Sequence, residues 1–334
     1  MRAEVLRDET CRFVAYYCCS VSGGSVYFQR SHFSFSYYES QSTRREAGRW
    51  KPEWPQANGG WLSAMLKEFP ITAIDLIWLP FGFLNRDSAN NRYRGNSKPP
   101  VIFVHGWSQN RITFAWIIGK LRNRLAGRQL YTLNMPTTSK TLPELADYLA
   151  KRMDEALRQT GQSKAAIVGH SLGGLVTREY AARYGSGKIE AVITLATPHA
   201  GSKLSFPALA PVGGPVMHEM EPGSETLKRL AKEKIEGVRF VCVGSVHDNF
   251  VLPFDSSFLP GAEEIVIDGV GHNGLLFDTR VLDIIENTLD NISVETEDEK
   301  ISEQNKEPEK KSRSKKTRAN KADSENVEKS STNK

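Results

Sequence analysis

Gly169-His170-Ser171-Leu172-Gly173-Gly174 follows an apolar run, Ala165-Ala166-Ile167-Val168, and precedes a segment patterned like a helix over 175–184. An apolar strand, a small-residue turn centred on serine and then a helix make a nucleophile elbow. In so sharp a turn, a Cβ two residues before or after the serine would collide with neighbouring strand or helix backbone, which explains glycine at 169 and 173. The turn lifts the Ser171 hydroxyl clear of the sheet and aims a helix N-terminus at the space above it.

Working outward from this turn, apolar runs alternate with helical patterns. Val101–Val104, Leu130–Leu133, Ile189–Leu195, Val238–Val243 and Glu264–Ile267 read as strands beside 165–168. Ile112 to Leu125 reads as a helix with Phe114, Ile117, Ile118 and Leu121 on one face. Pro143 opens another, in which Leu145, Leu149, Met153 and Leu157 recur every fourth position until Gly161, and Val281–Leu289 gives a last one. Strand–helix alternation with continuously apolar strands predicts an α/β fold, with a mainly parallel sheet covered by helices on both faces. Right-handed crossovers then gather the strand C-termini, and the functional loops, along one edge.

The ends differ from this middle. Residues 1–60 are rich in Ser, Tyr, Arg and Glu without a sustained period and read as a poorly ordered N-terminal extension; Met65 is an alternative start of a compact chain. The globular domain is expected over 61–292. Beyond it, 293–334 runs acidic and then basic, with Lys310, Lys311, Arg313, Lys315, Lys316, Arg318 and Lys321 uninterrupted by acids and no aromatic residue, so a disordered charged tail is expected. Residues 199–234 interrupt the alternation with Gly, Pro, Ala and Met and read either as a plain long connection or as a candidate lid beside the elbow.

Net charge of +5 over 334 residues, much of the charge lying in the tail, argues against a nucleic-acid binder. Four cysteines without metal-type spacing predict reduced thiols, no metal and no cofactor. The opening residues make a poor signal peptide. The most lipophilic stretch, 71–84, is too short to span a bilayer, contains Asp75 and Pro80, and reads either as an element packed on the core or as a segment resting on lipid. The expected location is cytoplasmic, with peripheral membrane contact through 71–84 and the basic tail.

A serine hydroxyl needs a base. Of seven histidines, His272 stands out: it lies in Asp268-Gly269-Val270-Gly271-His272-Asn273-Gly274, directly after the last apolar run, where small neighbours let an imidazole loop reach over the sheet edge. His105, His170, His199, His218, His247 and His32 are less well placed. The imidazole needs a carboxylate; Asp248, just beyond the strand 238–243, is favoured over Asp255 and Asp268. An oxyanion needs preformed donors, for which the Leu172 amide, first in its helix, and the Trp107 amide, turned by Gly106, are the candidates.

The set Phe103-Val104-His105-Gly106-Trp107, the elbow, Ala196-Thr197-Pro198-His199-Ala200-Gly201-Ser202, Gly244 to Asp248 and Gly271-His272 resembles the α/β-hydrolase superfamily over about 98–290. Within it the chain is similar to the lipase and esterase branch that includes bacterial triacylglycerol lipases and GPI inositol-deacylase-like hydrolases. Met220-Glu221-Pro222-Gly223-Ser224 also looks like the stretch that follows the Thr-Pro-His-x-Gly motif there. The resemblance implies Ser171 as nucleophile, Asp248 as acid, His272 as base and the amides of Trp107 and Leu172 as oxyanion hole. The function expected is hydrolysis of an acyl or lipid ester. An acyltransferase or thioesterase would use the same triad, and an inactive binding scaffold is the reading from another class.

Overall fold

The structure, a computed structural model, describes residues 51–55, 60–84, 97–204, 214–233 and 235–292. The chain divides into two compact units, Met1–Glu286 and Asn287–Lys334. The sheet and the candidate site lie in the first; of the second, residues 287–292 are described and are helical. Cys11, Cys18, Cys19 and the basic run 310–321 lie outside the described residues.

Six strands form one sheet: β1 (Val101–Val104), β2 (Leu130–Thr132), β3 (Ala165–His170), β4 (Ile189–Leu195), β5 (Arg239–Ser245) and β6 (Glu263–Ile267). Their order is β2-β1-β3-β4-β5-β6, and every pairing is parallel. The expected α/β fold is therefore present. The strands read as unbroken apolar runs because helices cover both faces. On one face Ile102, Val104, Ile167 and Val192 pack against helices rich in buried Leu and Met; on the other Phe103 meets Phe114 at a ring separation of 5.3 Å.

The helices are α1 (Trp61–Trp78), α2 (Phe81–Leu84), α3 (Ala115–Arg124), α4 (Leu142–Thr160), α5 (Leu172–Tyr184), α6 (Val216–Glu219), α7 (Glu225–Leu230) and α8 over 279–286. α4 follows its spacing closely. Glu144 accepts the Thr141 N–H at 2.9 Å to cap its start, Leu142, Leu145, Leu149 and Met153 are fully buried, and Gly161 takes the left-handed conformation (φ 71°) that ends it. α3 begins later than its pattern suggests, because 111–114 form a 3₁₀ turn in which the Asn110 side chain accepts the Ile112 N–H.

Two regions carry packing that composition does not reveal. Trp54, ahead of the expected boundary at 61, is buried between Phe254 and Phe258, 5.1 and 5.5 Å away, so packing of this unit begins within the supposed extension. One tryptophan produces no periodicity, so composition hides it. Parts of the candidate lid region 199–234 are packed on the core. Residues 205–213 and 234 lie outside the described residues, but Val216, Met217, Met220, Leu227 and Leu230 are buried in the main core, and the Glu219 carboxylate accepts the Leu142 N–H at 2.6 Å. Arg178 of α5 donates to the carbonyls of His199 and Leu230 and ties both ends of this region to that helix.

Register brings the loops together. Val104 pairs with Gly169, so the residues after β1 lie beside the elbow; His170 pairs with Leu195, and Ser245 with Ile267. Candidates 105–107, 171–172, 248 and 272 thus leave neighbouring strands at the same edge.

Candidate active site

Ser171 is held at φ 53°, ψ −123°, a conformation that costs on the order of 1–3 kcal/mol for a residue with a side chain. Its backbone N–H donates to the Leu195 carbonyl at 2.8 Å and so anchors the turn to β4. The flanking glycines meet their steric requirement. A Cβ on Gly169 would lie 2.7 Å from the Gly174 nitrogen, and one on Gly173 would lie 2.0 Å from the Val104 carbonyl oxygen. The Leu172 amide opens α5, in the first turn, where helix geometry offers no carbonyl four residues back.

The loop after β1 presses on this turn: a Cβ on Gly106 would lie 2.9 Å from Ser171 Cβ. His105 braces the loop. Its Nε2 accepts the Met135 N–H at 3.0 Å, its Nδ1 lies 2.9 Å from the Gly106 carbonyl, and burial pushes its pKa down to about 4. It is a neutral strut. Trp107 is half-buried against the main core.

His272 and Asp248 meet. His272 Nδ1 lies 3.0 and 3.1 Å from the two carboxylate oxygens, and both side chains are buried. Asp248 Oδ1 also accepts the N–H groups of Phe250 and Val251, each at 2.8 Å, which fixes the carboxylate. Burial alone would lower the His272 pKa. The Asp248 charge and hydrogen bond, with the Glu68 charge added, outweigh it and hold the pKa above 6.5. The elbow reaches this pair through His170, whose ring centroid is 4.8 Å from that of His272. A direct Ser171–His272 hydrogen bond is not among the contacts of the described residues. Such bonds are often long without substrate.

Residues 99–221 match the family described as alpha/beta hydrolase fold. With the all-parallel sheet and the strand–Ser–helix turn, that match decides the architecture. The chain has the α/β-hydrolase fold. A pimeloyl-[acyl-carrier protein] methyl ester esterase of Chromobacterium violaceum is 28% identical over 122 residues, 34% of this chain and 46% of that protein, so the match spans about half the relative's length. Among solved structures, the mature Bacillus licheniformis lipase BlEst2 superposes with a TM-score of 0.49 at 18% identity, covering 61% of this chain and 94% of that one. Aspergillus fumigatus lipase B gives 0.46 at 19%, covering 55% and 50%.

In this α/β-hydrolase fold the other described histidines have separate employment. His199 pairs with Thr194, and burial pushes its pKa well down. His247 Nδ1 accepts the Gly269 N–H, and its ring stands edge-on to Trp61. His218 is exposed beside Glu221. His32 lies outside the described residues. Asp268 pairs with Arg280, and Asp255 opens a 3₁₀ turn. Among the described residues no group of three or more His, Cys, Asp or Glu is arranged to hold a metal ion.

Three further polar residues, which no local sequence pattern marks, organise the candidate site. Gln109 Oε1 accepts the Gly106 N–H and faces His170 Nδ1, each at 3.0 Å, while its Nε2 donates to Asn273 Oδ1 at 3.1 Å. One side chain thus joins the loop after β1, the elbow and the His272 loop. A carbonyl oxygen can only accept, so His170 Nδ1 is the donor towards Gln109; burial pushes the pKa of this ring well below its ordinary value. Asn249 Oδ1 accepts the His272 N–H at 3.0 Å. Glu68 reaches the same loop from α1. A polar residue three positions after His-Gly was the available signal for Gln109. Glu68 announced itself only as a charge in an apolar neighbourhood.

Proposed function

We propose that this protein is a serine ester hydrolase acting on an acyl ester, with Ser171 as nucleophile, His272 as base and Asp248 as its acid. The observation that carries the reading is the buried His272–Asp248 pair at 3.0 Å, set against the strained serine turn through His170. Asp248 holds the Nδ1 proton, which leaves Nε2 free to accept the Ser171 proton. The serine oxygen then attacks the acyl carbonyl, and the oxyanion that forms is received by the amides of Leu172 and Trp107. His272 returns its proton to the departing alcohol. A water, deprotonated by the same imidazole, attacks the acyl-enzyme and releases the acid.

The ester class is supported by the matched relative, whose name describes a methyl ester esterase. A lipid-like substrate is supported by the outer face of α1, where Leu62, Leu66, Phe69, Ile77 and Trp78 are exposed, and by the basic run 310–321, complementary to anionic lipid. Among the described residues no helix is long and apolar enough to cross a membrane, so such contact would be peripheral.

Steady-state kinetics on p-nitrophenyl esters test the reading. Ser171→Ala is expected to lower kcat/KM by about 10⁴-fold or more. In the wild type, kcat/KM falls as pH drops through an apparent pKa above 6.5, because the base must be neutral and its charged form is stabilised. Unchanged turnover by Ser171→Ala would end the proposal.

A further inference from the structure

The inner stripe of α1 carries a carboxyl group that takes no part in the bond changes described above. Glu68 is fully buried, and its two oxygens accept the backbone N–H groups of Asn273 and Gly274, each at 2.8 Å. These are the two residues that follow His272. The loop is shaped to admit it: a Cβ on Gly271 would lie 2.6 Å from Glu68 Oε2, so glycine on the other side of the histidine makes room for the carboxylate. A contact across 205 positions of chain, with both oxygens satisfied and a glycine cleared for them, is a built arrangement.

We propose that Glu68 is a positioning residue for His272: its carboxylate clamps the loop that carries the imidazole and adds a second negative charge, beside Asp248, that favours the imidazolium. The proposal rests on the reading of His272 as the base. A peptide N–H that loses its acceptor in a buried loop would release the loop, and a small displacement of a catalytic group can cost about 100-fold in rate. The charge acts in the same sense as Asp248, since both raise the His272 pKa. Burial pushes Glu68 itself up to about 7, so its ionisation falls in the range where the base titrates. α1 contributes Lys67, whose Nζ donates to the Gly269 carbonyl at 3.0 Å, and Asp75, also raised to about 7 by burial. The loop after β5 contributes Asp248 and the loop after β6 contributes His272. The 3₁₀ turn Arg111–Phe114 offers Arg111, whose Nε donates to the Gly82 carbonyl, and Asn273–Phe277 offers no charge.

The test compares wild type, Glu68→Gln, Glu68→Ala and His272→Ala by fluorophosphonate labelling rate and by kcat/KM on a p-nitrophenyl ester from pH 5 to 9. Glutamine keeps an acceptor oxygen and removes the charge; alanine removes both. The expected result for Glu68→Gln is a rate lower by about tenfold to 100-fold, KM unchanged, and an acidic limb displaced to lower pH. Glu68→Ala should be slower still. A wild-type plateau and limb in folded Glu68→Gln overturns the proposal, and so does a slower variant whose limb has not moved, which leaves Glu68 a fold element. Should the variants fail to fold, the His272 ring resonances of the intact protein decide: a second inflection near pH 7 from the neighbouring carboxyl is expected, and a single-site titration overturns the proposal. Activity retained by His272→Ala is a different outcome, which removes the base assignment itself.

Discussion

Helices α1 and α4 are almost the same length and are built on opposite plans. α4 puts Leu142, Leu145, Leu149 and Met153 into the core and most of its charges towards water, the exception being Arg152, whose Nε donates to the Thr132 carbonyl at 2.9 Å. α1 buries Ala64 and Glu68 and turns Leu62, Leu66 and Ile77 outward at 64%, 63% and 66% exposure. Its inward stripe includes two acids: Glu68 on the His272 loop, and Asp75 beside the Thr113 hydroxyl at 3.3 Å. Burying a carboxyl opposes folding unless hydrogen bonds compensate, and an apolar helix face left in water gains nothing from folding. A helix that accepts both penalties is shaped by something other than stability. α4 holds the sheet; α1 holds the candidate base loop on one side and offers a surface on the other.

The contrast gives unequal expectations for similar substitutions. Leu149→Ala should destabilise the fold by about 2–5 kcal/mol, since it empties a fully buried position. Leu66→Ala on α1 should change stability by less than about 0.5 kcal/mol. Urea unfolding of the two variants measures the difference, and equal losses would mean that α1 is a core helix like α4. A smaller effect sharpens the outer face. Paired Leu66→Ser and Ile77→Ser changes should leave hydrolysis of a soluble ester unaltered while reducing sedimentation with anionic phospholipid vesicles at low salt. A variant that still sediments like wild type would remove the lipid role from this face.

The same pair of helices shows how legibility depends on where the information lies. α4 is readable because its apolar spacing, capping residues and terminal glycine agree, each within a few positions of the next. The central strands β1 and β3 are readable because both of their faces are dry. α1 is not: Pro70 lies inside it, acids occupy its buried stripe and leucines its wet face, so every local rule points the wrong way. The site divides likewise. Glycines at 169 and 173 are legible because the requirement for them is local to one turn. Asp248 and His272 are singled out by their place after consecutive strands, and the structure brings them into contact. Glu68, Gln109 and Asn249 act on loops far away in sequence, and no local pattern marks a residue whose partner lies 205 positions off.

The central claim is that the Ser171 hydroxyl is the nucleophile of a working esterase. Labelling of the intact protein with a fluorophosphonate, followed by peptide mapping, tests it most directly. The account predicts one adduct, on Ser171, lost in Ser171→Ala and greatly slowed in His272→Ala. No adduct at all, or an adduct that persists in Ser171→Ala, would contradict it.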